Sequence, residues 1–229
     1  MTELVDDRPG PAAVLFDMDG TLLDSEPLWG AAMDALAAHH GGLLSEAARL
    51  SMVGRNASES MAIFYSDVGV ADPDLVTDEL FLAERMGALF AEGVPWRPGA
   101  TELLAEVRTA GLPTALVTST ARRLVEVVLD STLGRGNFNV VICGDEVAEA
   151  KPHPEAYRTA ASQLGVPIEQ CVAIEDSPTG ILSASAAGAR VIGVPGELPL
   201  AGVDGAHLVT SLVEVDLGYL TRLAATARA

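Results

Sequence analysis

The sequence predicts an α/β fold in which a doubly wound parallel sheet carries an inserted, all-helical subdomain. Short apolar segments alternate with helical patterns over the second half of the chain, as they do in βα units. A long stretch between the first two apolar segments shows helical patterns only, and polar side chains follow several of the apolar segments. With 49% hydrophobic residues, the 229-residue chain is long enough to bury a sizeable core.

The strand candidates are short, apolar and rich in β-branched residues, which is typical of strands buried on both faces of a parallel sheet. They are residues 12–17, 114–118, 140–143, 171–174 and 190–194. Helical patterns occupy residues 99–110, 121–133, 154–164 and 179–187. A glycine follows three of these patterns, where a helix C-cap is expected: Gly111, Gly165 and Gly188.

The inserted subdomain is indicated by the gap between the first two strand candidates. This gap runs from Glu26 to about Pro95 and contains helical patterns at residues 28–38, 57–65 and 74–90. Because a crossover between parallel strands needs only about a dozen residues, the gap is too long for a simple connection. We expect residues 26–94 to form a helical subdomain and residues 1–25 and 95–229 to form the core.

Composition and charge argue against several partners. A formal net charge of −18 opposes binding to a nucleic-acid backbone, and the longest basic cluster is Arg122-Arg123. The N-terminus is polar and no apolar run approaches the roughly 20 residues that span a bilayer, so we expect a cytoplasmic protein without a membrane segment. Cys143 and Cys171 lie far apart in apolar runs without metal-ligand spacing, which predicts buried thiols.

Lysine is used once. Of the 14 basic residues, 13 are arginine and the remaining one is Lys151. Either this pattern arose by chance, or position 151 needs a compact ammonium group that the planar guanidinium of arginine cannot replace.

Polar side chains follow four of the predicted strands. They are Asp17-Met18-Asp19-Gly20-Thr21 after the first, Thr118-Ser119 after the second, Lys151-Pro152 beyond the third and Glu175-Asp176 after the fourth. Each group alone is also typical of an ordinary turn, a helix N-cap or a surface lysine. Because parallel strands bring their carboxyl ends to one edge of a sheet, the four groups together predict a single site.

The residue types at this edge fit phosphoryl transfer. Four carboxylates repel one another and require a divalent cation, and an all-oxygen ligand set favours Mg²⁺ over zinc. The cation and Lys151 would offset the charge of a phosphate dianion. One carboxylate can attack phosphorus to give an acyl phosphate, while a second acts as acid and then as base. We therefore expect a phosphorylated small molecule as the substrate.

The motifs DMDGT, TS, KP and ED, in this order and at these strand ends, resemble the haloacid dehalogenase superfamily over essentially the whole chain. The resemblance implies a Rossmann-like core, and the helical insert is similar to the α-helical cap of the branch that contains the β-phosphoglucomutases and sugar-phosphate phosphatases. Within it, DMDGTLLDSEPLW and KPHPEAY look most like the hexitol-phosphate and 2-deoxyglucose-6-phosphate phosphatases. Cap-bearing members are often monomers, so we expect a monomer.

The resemblance implies two reacting carboxylates. Asp17 would be the nucleophile and a metal ligand. Asp19 would be the general acid and base, and its backbone carbonyl would also bind the metal. Gly20 and Thr21 would form the turn in which Asp19 swings as the cap closes.

The resemblance also implies residues that hold the phosphoryl group and the metal. Thr118 and the Ser119 amide would hold the transferring oxygens, and Lys151 would bridge the phosphate and Asp17. Asp176 would bind Mg²⁺, with Glu175 binding it directly or through water.

Several activities of related proteins fit less well. The dehalogenases lack the carboxylate found here at Asp19, and the phosphonatases need a cap lysine, which residues 26–95 do not contain. A β-phosphoglucomutase is the main alternative, but Trp29 stands where it has a cap histidine, and Ala121 and Arg122 stand where it has a Lys-Asn pair. A noncatalytic binding module on the same scaffold is a third possibility.

Four further residues are substrate-binding candidates or unassigned. Trp29 offers an apolar wall to a hexose or hexitol, with packing inside the cap as the alternative. Arg55 lies in a segment that resembles a substrate-contacting cap loop, and Arg122 would contact a distal phosphate in a mutase. The role of His153, beside the lysine motif, stays open.

Overall fold

The central sheet has six parallel strands in the computed structural model, which describes residues 10–52 and 57–225. They are β1 (Ala13–Phe16), β2 (Thr114–Val117), β3 (Val140–Ile142), β4 (Cys171–Glu175), β5 (Arg190–Gly193) and β6 (Ala206–Leu208). The order across the sheet is β3-β2-β1-β4-β5-β6, so the chain reverses direction of winding between β1 and β4. In open parallel sheets such a switch point leaves a crevice at the carboxyl ends of the strands. The predicted α/β fold is confirmed.

The first five strands agree with the sequence prediction to within about a residue at each end, because each is a mostly apolar run and all but the edge strand β3 are largely buried. The sixth, β6, was not predicted. It has only three residues, pairs with β5 at the edge of the sheet and is largely exposed, so it lacks the apolar signal of a buried strand.

The sheet unit comprises the described residues up to Asp24, together with Trp96–Arg122 and those from Arg135 onward. Its helices are α5 (Ala100–Thr109), α7 (Glu155–Leu164), α8 (Pro178–Ala187) and α9 (Leu217–Ala225). The predicted pattern at 121–133 is not one regular helix, because α6 (Arg122–Val128) continues into a π-helical turn at Leu129–Leu133.

The helical unit comprises Arg123–Gly134 and the described residues of Ser25–Pro95. Its helices are α1 (Glu26–His39), α2 (Glu46–Met52), α3 (Ala57–Val68) and α4 (Leu75–Ala91), of which α2 was not predicted. This unit includes Arg123–Gly134, which the sequence analysis assigned to the core. The boundaries of the helical subdomain, residues 26–94, stay a prediction. Among the described residues, no helix is long and apolar enough to cross a membrane.

A buried polar cluster lies inside the helical unit. The carboxylate of Asp78 is 2% exposed and accepts a hydrogen bond from the Tyr65 hydroxyl at 2.9 Å. His40 Nε2 lies 3.0 Å from both oxygens of the same carboxylate. His40 is the C-cap residue of α1, and its side chain contacts Asp78. The cluster satisfies the buried carboxylate without using a site residue.

Candidate active site

Asp17 is placed by the end of β1. It follows the last strand residue, and its backbone N–H donates to the Ile174 carbonyl at 3.0 Å, which ties it to β4 across the switch point. The turn then passes through Gly20, whose φ of +77° lies in the left-handed region. A Cβ on Gly20 would lie 2.1 Å from Oδ2 of Asp176. Glycine is therefore required here both by the backbone and by the neighbouring carboxylate.

Lys151 lies at the centre of the site. Its Nζ donates to Asp17 Oδ1 at 2.8 Å, to Glu175 Oε1 at 2.7 Å and to the Val117 carbonyl at 2.9 Å. An ammonium group has three protons, so these acceptors use all of them. The three acceptors come from the ends of β1, β2 and β4, so one buried side chain links three strands.

Burial and the neighbouring charges both shift the pKa values of Asp17 and Lys151. Burial, together with the nearby Glu175 carboxylate, raises the pKa of Asp17 to about 7, although Lys151 opposes the rise. Burial also works against the charged form of Lys151, but the Asp17 and Glu175 carboxylates outweigh it and raise the pKa of Lys151 above its usual range. The lysine therefore stays an ammonium ion, while the site as a whole has one positive charge for several carboxylates.

This excess of carboxylates fits a cation. Asp17, Glu175 and Asp176 each offer one oxygen, and the three oxygens lie within 4.8 Å of one another. All three side chains are buried, and the donors are hard oxygens without nitrogen or sulfur, which suits Mg²⁺. Thr21 Oγ1 donates to Asp176 Oδ1 at 3.4 Å and helps to orient that carboxylate. The residues present thus fit the predicted magnesium ion.

Asp19 lies on the β2 side of the site. Its Oδ2 accepts hydrogen bonds from Thr120 Oγ1 at 2.7 Å and from Thr118 Oγ1 at 3.3 Å. The Thr118 hydroxyl in turn accepts from the Thr120 backbone N–H at 3.0 Å, while Ser119 between them is exposed. The predicted acid and base carboxylate is therefore held by the motif that was predicted to hold the phosphoryl oxygens.

Two predicted substrate contacts have protein partners in the structure, and a third is not described. The Arg122 guanidinium donates to both carboxylate oxygens of Glu146, at 2.9 and 2.6 Å, and to the Val141 carbonyl at 2.7 Å. Trp29 packs edge-to-face against Phe90 within the helical unit, with ring centroids 6.4 Å apart. Arg55 lies outside the described residues. The exposed His153 is near Glu155, at 3.9 Å.

Two residues at the site carried no predicted role. Tyr157 is fully buried in α7, and its hydroxyl donates to Glu175 Oε1 at 2.5 Å. Burial and the Glu175 carboxylate raise the pKa of Tyr157 well above its usual range, so the phenol keeps its proton. Thr120 holds Asp19 as described above. Tyr157 stands inside the KPHPEAY segment and Thr120 directly follows the TS motif, but the partners of both depend on tertiary contacts.

Both cysteines are buried and reduced, as predicted. Burial raises the pKa of Cys143 to about 12, and the same cause raises the pKa of Cys171 to about 12. Neither thiol is part of the carboxylate group at the strand ends.

The family profile described as haloacid dehalogenase-like hydrolase matches residues 11–188. The protein CbbY of Cereibacter sphaeroides is 37% identical over 228 residues, which cover 94% of this chain and 97% of that protein. Hexitol phosphatase A of Escherichia coli (strain K12) is 35% identical over 187 residues, which cover 81% of this chain and 84% of that protein.

A similar solved structure is that of a CbbY mutant from Rhodobacter sphaeroides in complex with xylulose-(1,5)bisphosphate. It superposes with a TM-score of 0.80 at 34% identity and covers 92% of this chain and 99% of that chain. The family match confirms the superfamily and the hydrolase class that the four motifs predicted. These matches cover both the strand-end motifs and the segment between them.

Proposed function

Because the chain belongs to the haloacid dehalogenase-like hydrolases, we propose that it is a magnesium-dependent phosphatase that acts through an aspartyl phosphate on Asp17. The observation that carries this proposal is the contact of Lys151 Nζ with Asp17 Oδ1, at 2.8 Å, beside a group of carboxylates. A phosphate dianion is repelled by a lone carboxylate, and the adjacent ammonium group removes much of that repulsion.

In the first step a carboxylate oxygen of Asp17 attacks phosphorus, and the bond from phosphorus to the substrate oxygen breaks. Asp19, protonated at this stage, gives its proton to the leaving oxygen, so an alcohol departs. Thr118, the Ser119 backbone amide and Lys151 would hold the phosphoryl oxygens during transfer. The product of this step is the acyl phosphate of Asp17.

In the second step a water molecule attacks the phosphorus of the acyl phosphate. Asp19 now accepts a proton from that water, and the bond to the Asp17 oxygen breaks. Inorganic phosphate leaves, Asp17 is a carboxylate again and Asp19 is protonated again. The proton that Asp19 gave in the first step is thus recovered in the second.

Mg²⁺ would be held by Asp17, Asp176 and the Asp19 backbone carbonyl, with Glu175 directly or through water. When bound, the ion supplies positive charge that offsets the carboxylates and the phosphoryl oxygens. Glu175 already accepts from Lys151 and Tyr157 on one oxygen, which favours the indirect role for this residue.

We infer that the substrates are small phosphomonoesters of sugars or sugar alcohols. Support comes from the similarity to a hexitol phosphatase and to CbbY, whose structure contains a ketopentose bisphosphate. Trp29 and Arg55 stay the predicted contributors to substrate choice. The substrate panel should therefore contain hexose, hexitol, pentose and nucleotide monophosphates, together with xylulose 1,5-bisphosphate.

A phosphosugar mutase has less support. In that reading Arg122 would supply a contact to a distal phosphate, whereas its guanidinium is bound to Glu146 and to the Val141 carbonyl. A noncatalytic module is disfavoured because the predicted reacting side chains are all present and in contact with site partners.

The proposed function is tested by phosphate release from p-nitrophenyl phosphate and from the substrate panel, in Mg²⁺ and in EDTA. We expect release in Mg²⁺ and none in EDTA. β-Glucose 1-phosphate with a bisphosphate primer is assayed in parallel. Glucose 6-phosphate formed without phosphate release would make the chain a mutase, and no turnover of any compound would favour a binding module.

A further inference from the structure

Tyr157 is buried beneath the lysine and carboxylate cluster. Its side chain is 0% exposed, and its hydroxyl lies 2.5 Å from Glu175 Oε1. The Lys151 Nζ lies 5.1 Å from the centroid of the Tyr157 ring. The same aromatic side chain therefore contacts both partners of the Lys151–Glu175 ion pair, through its hydroxyl and through its ring face.

The Glu175 carboxylate is enclosed on its other sides as well. Its Oε2 accepts from Ser177 Oγ at 3.2 Å, and a Cβ on Gly180 would lie 2.0 Å from the carboxylate. The N-terminus of α8 thus packs against one oxygen while Tyr157 and Lys151 share the other. With these contacts in place the carboxylate has little freedom to rotate.

We propose that Tyr157 is a positioning residue of this site: its hydroxyl fixes the Glu175 carboxylate, which in turn holds the Lys151 ammonium beside Asp17. This inference rests on the proposed phosphatase function for its kinetic consequence. In the part of the chain that the structure describes, the polar contacts of Tyr157 are with Glu175 and Lys151, and it acts through these two residues.

The hydroxyl matters because Lys151 has no proton to spare. All three of its protons are donated, to Asp17, to Glu175 and to the Val117 carbonyl. To bind a phosphoryl oxygen the ammonium must give up one of these acceptors. Tyr157 keeps Glu175 Oε1 hydrogen-bonded when Lys151 turns away, so the exchange does not leave a buried carboxylate oxygen without a donor. Without the hydroxyl, Lys151 is the one donor to that oxygen that remains among the described residues, so Glu175 holds it more tightly and it is less free to turn to a phosphoryl oxygen.

The test compares Tyr157→Phe with a matched control, Tyr65→Phe. Each change removes one hydroxyl that donates to a buried carboxylate, Glu175 in the first case and Asp78 in the second. With p-nitrophenyl phosphate at saturating Mg²⁺, we expect Tyr157→Phe to lower kcat about tenfold, the size of one hydrogen bond to a charged group, with KM within threefold. Tyr65→Phe should leave kcat within twofold.

A second readout needs no turnover. Because Lys151 is the only lysine, labelling with lysine carrying ¹⁵N at Nζ gives one side-chain ammonium signal in the full-length protein. A buried ammonium held by three acceptors exchanges its protons slowly enough to be observed. Tyr157→Phe keeps the ring but removes the hydroxyl, so we expect the Lys151 signal to shift or broaden. Tyr65→Phe should leave it where it is in the wild type.

Either of two results overturns the proposal: a Lys151 signal that does not change in Tyr157→Phe, or a kcat of this variant within twofold of the wild type. If Tyr157→Phe does not fold by circular dichroism, 3-fluorotyrosine at position 157 keeps the hydroxyl as a stronger donor and must shift the same signal. If the wild type releases no phosphate from any compound, the proposed function fails, while the Lys151 signal still decides whether Tyr157 positions the lysine.

Discussion

Lys151 Nζ lies 2.8 Å from Asp17 Oδ1, although 134 positions separate the two residues in the sequence. The contact forms because β1 ends at the switch point of the sheet and the segment before α7 passes over the same edge. The lysine also reaches Glu175 at the end of β4. A compact ammonium at the meeting point of three strands accounts for a lysine in a chain that otherwise uses arginine.

Replacement of Lys151 tests this account. Lys151→Arg should abolish phosphatase activity, because a guanidinium is too large for a buried position with three close acceptors. Lys151→Met should in addition lower the free energy of unfolding by about 3–5 kcal/mol, since it leaves two buried carboxylates without their partner. Urea unfolding and phosphate release measure the two effects. Retention of activity by Lys151→Arg within tenfold of the wild type would contradict the assigned role.

The two reacting carboxylates have a matched control in Asp24, which lies 3.7 Å from Arg97 in a partly exposed ion pair. Asp17→Asn should abolish turnover because an amide does not attack phosphorus. Asp19→Asn should lower kcat by roughly 10²–10⁴-fold, the usual contribution of a general acid and base. Asp24→Asn should stay within threefold of the wild type. Residual activity of Asp17→Asn or Asp19→Asn within tenfold would show that the roles are wrongly assigned.

Stability without metal should depend on pH through Asp17. Its pKa is raised from 3.8 to about 7 in the folded protein, so between about pH 4 and pH 7 the folded state holds a proton that the unfolded state has released. Unfolding then releases a proton, and this contribution to stability is lost as pH rises across the window. We therefore expect the wild type to lose stability relative to Asp17→Asn as pH rises. In EDTA, the free energy of unfolding of Asp17→Asn minus that of the wild type should increase from about pH 5 to about pH 7.5.

The two proteins share all other titrating groups, so the difference between them reports Asp17 together with its interactions with neighbouring charges. Saturating Mg²⁺ should stabilise the wild type near pH 7.5 and do so less for Asp17→Asn, because binding to the folded state alone raises its stability. If the free energies of unfolding of the two proteins differ by the same amount at both pH values in EDTA, the raised pKa of Asp17 is contradicted.

The cysteines should be inert in the folded protein. Both thiols are buried, and burial raises the pKa of Cys143 and of Cys171 to about 12, so almost no thiolate is present near pH 8. A thiol-reactive disulfide reagent should label neither residue in native buffer and both in urea. Rapid labelling of either cysteine in the native protein would show that its segment opens readily.

Much of the fold was predictable because its signals are local. The first five strands are mostly apolar runs, and the site motifs follow the strand ends, where parallel topology must bring them together. The edge strand β6 and the helices α2 and α9 were missed. The strand is only three residues long and α2 only seven, which is too short for a clear periodic pattern. Helix α9 has nine residues, and the structure gives no reason for its having been missed.

The side-chain partners were less predictable. Tyr157 contacts Glu175 only because α7 lies against the sheet in one particular register, which no local pattern specifies. Arg122 looked available for a ligand, but its guanidinium fork matches the carboxylate of Glu146, which lies 24 positions away in sequence. Pairings of this kind depend on tertiary contacts between residues distant in sequence.

The central claim, that Asp17 becomes phosphorylated during turnover, is tested most directly by rapid acid quench during hydrolysis of a phosphomonoester in Mg²⁺, followed by mass spectrometry of the peptides. The account predicts a phosphoryl group on the peptide that contains Asp17, removable by hydroxylamine and missing in Asp17→Asn. Rapid turnover with no phosphorylated Asp17 peptide at any quench time, or a phosphoryl group on another residue, would contradict it.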